Sequence, residues 1–98
     1  MIIAKQEILR ILEQLREEIM QSYKVKRIGL FGSVVKGEQR KGSDIDILVE
    51  FKDDADLFDF LGLTLFLEER LKQKVDVVPK EDLRQEIRGT VLKEVVYL

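Results

Sequence analysis

Two short apolar runs limit what this chain can fold into. Ile28-Gly29-Leu30-Phe31 is followed at once by Gly32-Ser33, and Ile47-Leu48-Val49 is preceded by Asp44-Ile45-Asp46. Only residues 34–43 separate the two motifs. Apolar runs this short, bounded by turn residues, read as buried strands. One strand therefore ends in a Gly-Ser turn, and the next opens with two acids. Asp44 and Asp46 are two apart, so on a strand they project from the same face, their Cα atoms about 7 Å apart. Two carboxylates converging there make a hard, all-oxygen site suited to Mg2+ carried by substrate phosphates. Gly32 lets the backbone come close to a ligand, and Ser33 offers a hydroxyl and a main-chain N–H. A helix starting at Ser33 would add free N–H groups that favour an anion.

The rest of the composition narrows the chemistry. The chain has no cysteine and no histidine. That excludes a disulfide framework, Cys or His zinc ligands and a Ser-His or Cys-His nucleophile. General-base work falls to Asp, Glu, Lys or Tyr. Charged residues make up 37% of the chain, yet the net charge is only −2. A broad polyanion-binding face is therefore not expected, nor is direct nucleic-acid binding. Ninety-eight residues read as one domain, 1–98. No run is apolar enough to span a bilayer and the N-terminus lacks a signal-peptide pattern, so the expected location is cytoplasmic, away from any membrane.

In chain order, residues 4–21 show helical spacing at Ile8, Ile11, Leu12, Leu15 and Ile19. A strand at about 25–32 leads into a helical turn, Ser33–Lys36, closed by Gly37. The loop 38–42 carries Arg40 and Lys41. One of them could face a triphosphate; the competing reading is solvated loop charge. After Ser43 and the acids, the second strand runs to about Phe51. Asp54-Ala55-Asp56 repeats the Asp-x-Asp spacing without a strand or Gly-Ser turn before it, and Asp56 reads as a helix N-cap. The helix 57–72 is apolar on more than one face. Its surplus is either a thick core or a patch for a partner. Residues 74–79 form a short β-branched strand ended by Pro79. Asp76 is its odd residue: either the third carboxylate of the site or an edge-strand acid facing water. The tail reads as helices over 81–88 and 90–97, broken at Gly89. Leu83, Ile87, Val91, Leu92, Val95 and Val96 are expected to bury.

Competing phosphate motifs are absent. Gly32 and Gly37 frame a Gly-x4-Gly, but Glu38-Gln39 follows where a P-loop needs Lys-Ser/Thr. No Gly-x-Gly-x-x-Gly exists. A phosphate cradle facing a metal cradle is the layout of nucleotidyl transfer.

These residues resemble a known family. Gly32-Ser33, Gly37, Arg40 and Ser43-Asp44-Ile45-Asp46-Ile47-Leu48-Val49 resemble the signature of the DNA polymerase beta superfamily of nucleotidyltransferases. The whole chain is similar to its smallest branch, the minimal nucleotidyltransferases (MNT), down to the closing Val95-Val96-Tyr97-Leu98. The resemblance implies an α/β (α+β) nucleotidyltransferase fold, a small mixed β-sheet with helices packed on it. It implies Mg2+-dependent nucleotidyl transfer, with Gly32 and Ser33 holding the triphosphate and Arg40 and Ser43 nearby in the nucleotide site. Asp44 and Asp46 would bind two Mg2+ ions, with Asp76 completing one metal site and acting as base. Lys41-Gly42 depart from a common Arg-Pro-Asp-Ser form without removing a ligand. The chain lacks the acceptor domain of larger relatives. MNT proteins resemble antitoxins paired with HEPN-domain ribonuclease toxins, which implies transfer of AMP from ATP to a toxin tyrosine. Two alternatives stay open: an antitoxin that masks its toxin by binding alone, and transfer to a small molecule.

Overall fold

The computed structural model describes residues 3–40 and 42–98. Helix α1, Lys5–Ser22, buries Ile8, Leu12 and Ile19 along one stripe, as its spacing predicts. Strand β1, Val25–Phe31, follows. The four-residue helix α2, Ser33–Lys36, is flanked by Gly32 and Gly37. Strand β2 is Ile45–Phe51, so Asp44 stands just before the strand instead of inside it. Helix α3 is Leu57–Leu71. Its N-cap is Asp56, whose side chain accepts the Asp59 N–H while the Asp59 carboxylate accepts the Asp56 N–H. The second Asp-x-Asp thus ends in a helix cap.

Strand β3, Val75–Pro79, leads into a 3-10 turn, Lys80–Asp82. The tail then departs from expectation. A single helix α4, Gln85–Glu94, runs through Gly89, and Val96–Tyr97 form a strand, β4. Strand β4 pairs with β1 at Gly29 and Leu30. The Leu98 N–H donates to the Ile28 carbonyl at 3.1 Å, and the Arg27 guanidinium lies 3.6 Å over the Tyr97 ring. Gly29 permits this contact: a Cβ there would stand 2.8 Å from the Val96 carbonyl oxygen. Non-local pairing outweighs the helical spacing of 90–97.

The sheet order is β3-β2-β1-β4. Strands β2 and β3 are parallel, and β1 is antiparallel to both β2 and β4. The sheet is therefore mixed, and α3 makes the crossover between its parallel strands. One face carries the main core. There Ile45, Ile47, Val49, Val75 and Val77 meet buried side chains of α1 and α3. The opposite face bears a smaller cluster of Phe31, Leu48, Leu83 and Val91 under α4. Side chains alternate along a strand, so Asp46 and Leu48 share this second, more open face. No helix among the described residues is long and apolar enough to cross a membrane.

The surplus apolar surface of α3 is not core. Leu63, Leu67 and Leu71 are buried, whereas Leu57, Phe58, Leu61 and Leu65 are 66%, 81%, 47% and 67% exposed.

Candidate active site

The site forms where β1 ends and β2 and β3 begin. Phe31 is the register partner of Asp46. The next residue, Gly32, has φ +75° and ψ −147°, a conformation essentially restricted to glycine. A Cβ at Gly32 would run into the Asp46 carboxylate, standing 2.9 Å from its Cγ. The bend and the acid are therefore packed face to face. The Ser33 main-chain N–H lies close enough to the Asp46 carboxylate to favour its charged form. The Gly32 carbonyl accepts from the N–H groups of Val35 and Lys36 at 3.1 Å each, which starts the short helix.

Across the sheet, Asp46 is the register partner of Asp76. Parallel neighbours lie about 4.8 Å apart, so these acids stand side by side. Asp76 sits exposed on an edge strand and adjoins Asp46. Asp44, also exposed, approaches from the loop. Asp46 is half-buried at the centre. Burial pushes its carboxyl above the ordinary range, and the negative charges of Asp76 and Asp44 push it further. The Ser33 N–H pulls the other way. A partly desolvated carboxylate flanked by two like charges is unfavourable until a cation arrives.

The donor set fits Mg2+. All three side chains offer hard oxygen. Among the described residues, no three His, Cys, Asp or Glu groups close around a point tightly enough to hold an ion alone. Mg2+ is usually bound through one or two carboxylates, with substrate phosphates and water completing its shell. An open acidic edge beside a phosphate-sized bend suits that division.

The loop candidates behave differently. The Arg40 N–H donates to Ser43 Oγ at 3.2 Å, and the Ser43 N–H donates to the Arg40 carbonyl at 2.9 Å. Gln73 Nε2 donates to the Ser43 carbonyl at 3.1 Å. Ser43 thus braces the turn that delivers Asp44, while the Arg40 side chain is exposed. Lys41 lies outside the described residues.

A cleft of about 500 Å3 opens beside Asp46 and Asp76. Its other walls include Phe31, Val78, Leu83 and Ile87. Sequence reasoning missed this use of the tail. The spacing of Ile87 reads as a buried helix position, yet the residue is 45% exposed. Another cleft, about 590 Å3, lies by Phe51 and Pro79 at the far end of β2 and β3 and contains none of the motif residues.

Residues 12–98 match the model of the nucleotidyltransferase domain family. The chain is 43% identical over 93 residues to the protein adenylyltransferase MntA of Thermococcus cleftensis, covering 95% of this chain and 94% of that one. Its structure is similar to one described as a minimal nucleotidyltransferase, with a TM-score of 0.80, 36% identity and 94% of each chain covered. It is also similar to a chain in a crystal structure of a toxin–antitoxin with AMP-PNP. There the TM-score is 0.68 and the identity 28%, over 87% of this chain and 70% of that one.

Proposed function

The chain belongs to the nucleotidyltransferase domain family, and we propose that it is a Mg2+-dependent protein adenylyltransferase that silences a HEPN-type toxin by moving AMP from ATP onto a tyrosine. One observation carries the reading: Asp46 lies against the Gly32-Ser33 bend on one side and in register with Asp76 on the other. That adjacency supports a reading in which phosphate and metal chemistry share one place. The named adenylyltransferase relative supports the reaction class, and the toxin–antitoxin neighbour with AMP-PNP supports the nucleotide and the partner.

In this reading residues 1–98 act as one catalytic domain. Gly32 and Ser33 hold the triphosphate, with Arg40 as a nearby countercharge and Ser43 bracing the loop. Asp44 and Asp46 would hold two Mg2+ ions, with Asp76 completing one of the two sites. Bound there, the metals would supply charge stabilisation to both the attacking and the leaving oxygens. The tyrosine oxygen attacks the α-phosphorus of ATP. The bond from that phosphorus to the β-bridging oxygen breaks, pyrophosphate leaves, and the phenolic proton passes to Asp76. The product is a tyrosine–AMP phosphodiester. In this reading the reaction runs in the cytoplasm, where ATP is supplied.

The exposed stripe Leu57, Phe58, Leu61 and Leu65 is assigned to the partner contact, since apolar patches of this kind mark interaction surfaces. The same stripe favours a second reading, in which binding alone masks the toxin. The deciding experiment combines partner, ATP and Mg2+ and weighs the partner by mass spectrometry. The adenylyltransferase reading expects added AMP with the wild type and none with Asp44→Ala/Asp46→Ala. An unmodified partner, or full neutralisation by the double variant, favours masking.

A further inference from the structure

We infer that the cleft between the sheet edge and the start of α4 is the acceptor subsite, which seats the ring of the tyrosine being modified, with Ile87 as its outer wall. The inference rests on the adenylyltransferase reading and adds the place and the residues that receive the acceptor.

Three observations lead there. The first is direction. Phosphoryl-type transfer proceeds with the attacking and leaving oxygens roughly in line. The Gly32-Ser33 bend lies on the β1 side of Asp46, so pyrophosphate departs that way. The acceptor must then enter from the opposite side, where β3 carries Asp76. Asp82, Leu83, Arg84, Glu86 and Ile87, from the turn and helix that come after β3, wall the cleft on that side.

The second is chemistry. The walls next to the acids are apolar: Phe31, Val78, Leu83 and Ile87. Val78 is two residues beyond Asp76 on β3, so it shares that face. Apolar walls that end at a carboxylate suit a phenol, whose ring wants burial and whose hydroxyl wants a proton acceptor. The cleft volume, about 500 Å3, lies within the range of small-ligand sites.

The third is charge. Asp82 and Glu86 join Asp46 and Asp76 around the cleft, against one cation, Arg84. A triphosphate tail would be repelled there, whereas an uncharged ring is not.

The test uses the chain assembled with its tyrosine-bearing partner. Ile87 is 45% exposed, so Ile87→Ser trims the wall without adding charge or opening the core, and Ile87→Leu keeps the wall apolar. Preformed complexes receive ATP and Mg2+. The single-turnover rate of AMP transfer is read by intact mass, alongside the complex's dissociation constant and its half-saturating ATP concentration. Ile87→Ser is expected to slow transfer about tenfold or more, the scale of one lost apolar contact on a reacting group. Complex affinity and half-saturating ATP stay unchanged, and Ile87→Leu restores the rate. When serine replaces the partner's target tyrosine, the penalty of Ile87→Ser disappears, because no ring remains to lose its wall. Wild-type rates for Ile87→Ser overturn the inference. So does a change confined to the ATP dependence, which would put the nucleoside in the cleft. A wild type that transfers no AMP at all sinks the adenylyltransferase reading and this one with it.

Discussion

Gly32→Ala isolates the contact on which the site is built. The substitution meets two independent penalties. Gly32 has φ +75° and ψ −147°, where an L side chain costs about 1–3 kcal/mol. Its new Cβ would also stand 2.9 Å from Asp46 Cγ. Overpacking of that kind costs about 1–3 kcal/mol more. The sum is roughly 2–6 kcal/mol, against a total of roughly 5–15 kcal/mol for an ordinary domain. At the low end the melting temperature falls by roughly 8–16 °C for a chain of this size. Urea and thermal unfolding followed by circular dichroism measure it. The cycle with Asp46→Ala separates the penalties: removing the carboxylate recovers the collision but not the backbone strain. The expected coupling is about 1–3 kcal/mol. A loss below about 0.5 kcal/mol, or strict additivity of the two changes, would refute the packing argument.

Other positions move in stated directions. Gly89→Ala is expected to stabilise the chain by about 0.5–1 kcal/mol, because Gly89 lies inside α4 with open space where a Cβ would go; chemical denaturation reads it. Asp46→Asn is expected to abolish transfer yet stabilise the metal-free fold. The folded state holds the Asp46 proton more tightly than the unfolded chain does. The charged form therefore costs nothing below the unfolded value of about 3.9 and costs progressively more as pH rises through the raised folded one. The stability gap between Asp46→Asn and wild type should accordingly widen from about pH 4 upward, and Mg2+ should raise the melting temperature of the wild type alone. Phe58→Asp, at a side chain 81% exposed, should leave unfolding within about 0.5 kcal/mol of wild type. In titration calorimetry it should weaken the partner complex by about 1–2 kcal/mol or more.

Much of this architecture is readable from local pattern. The repeat of Ile8, Leu12 and Ile19 gives α1, the flanking runs give β1 and β2, and Asp56 announces α3. Those signals lie within a few residues of what they specify. What stayed hidden depends on distant partners. Val96–Tyr97 become a strand only because β1 offers an edge and Gly29 leaves space there. Read alone, their apolar spacing suits a helix equally well. Asp44 falls outside β2 because the turn braced by Ser43 extends to it. The adjacency of Asp46 and Asp76 is a matter of strand register, which Asp76's position in an apolar run hints at without fixing. Ile87 fits a buried helical stripe, but α4 reaches the sheet only farther along, at Val91. That offset leaves Ile87 beside the cleft.

The most direct measurement of the central claim is a crystal structure of the chain soaked with Mg2+ and a non-hydrolysable ATP analogue. Metal density is expected among Asp44, Asp46 and Asp76, with the triphosphate against Gly32 and Ser33 and the cleft toward Ile87 free of nucleotide. A triphosphate bound elsewhere, or metal contacting none of the three acids, would contradict it.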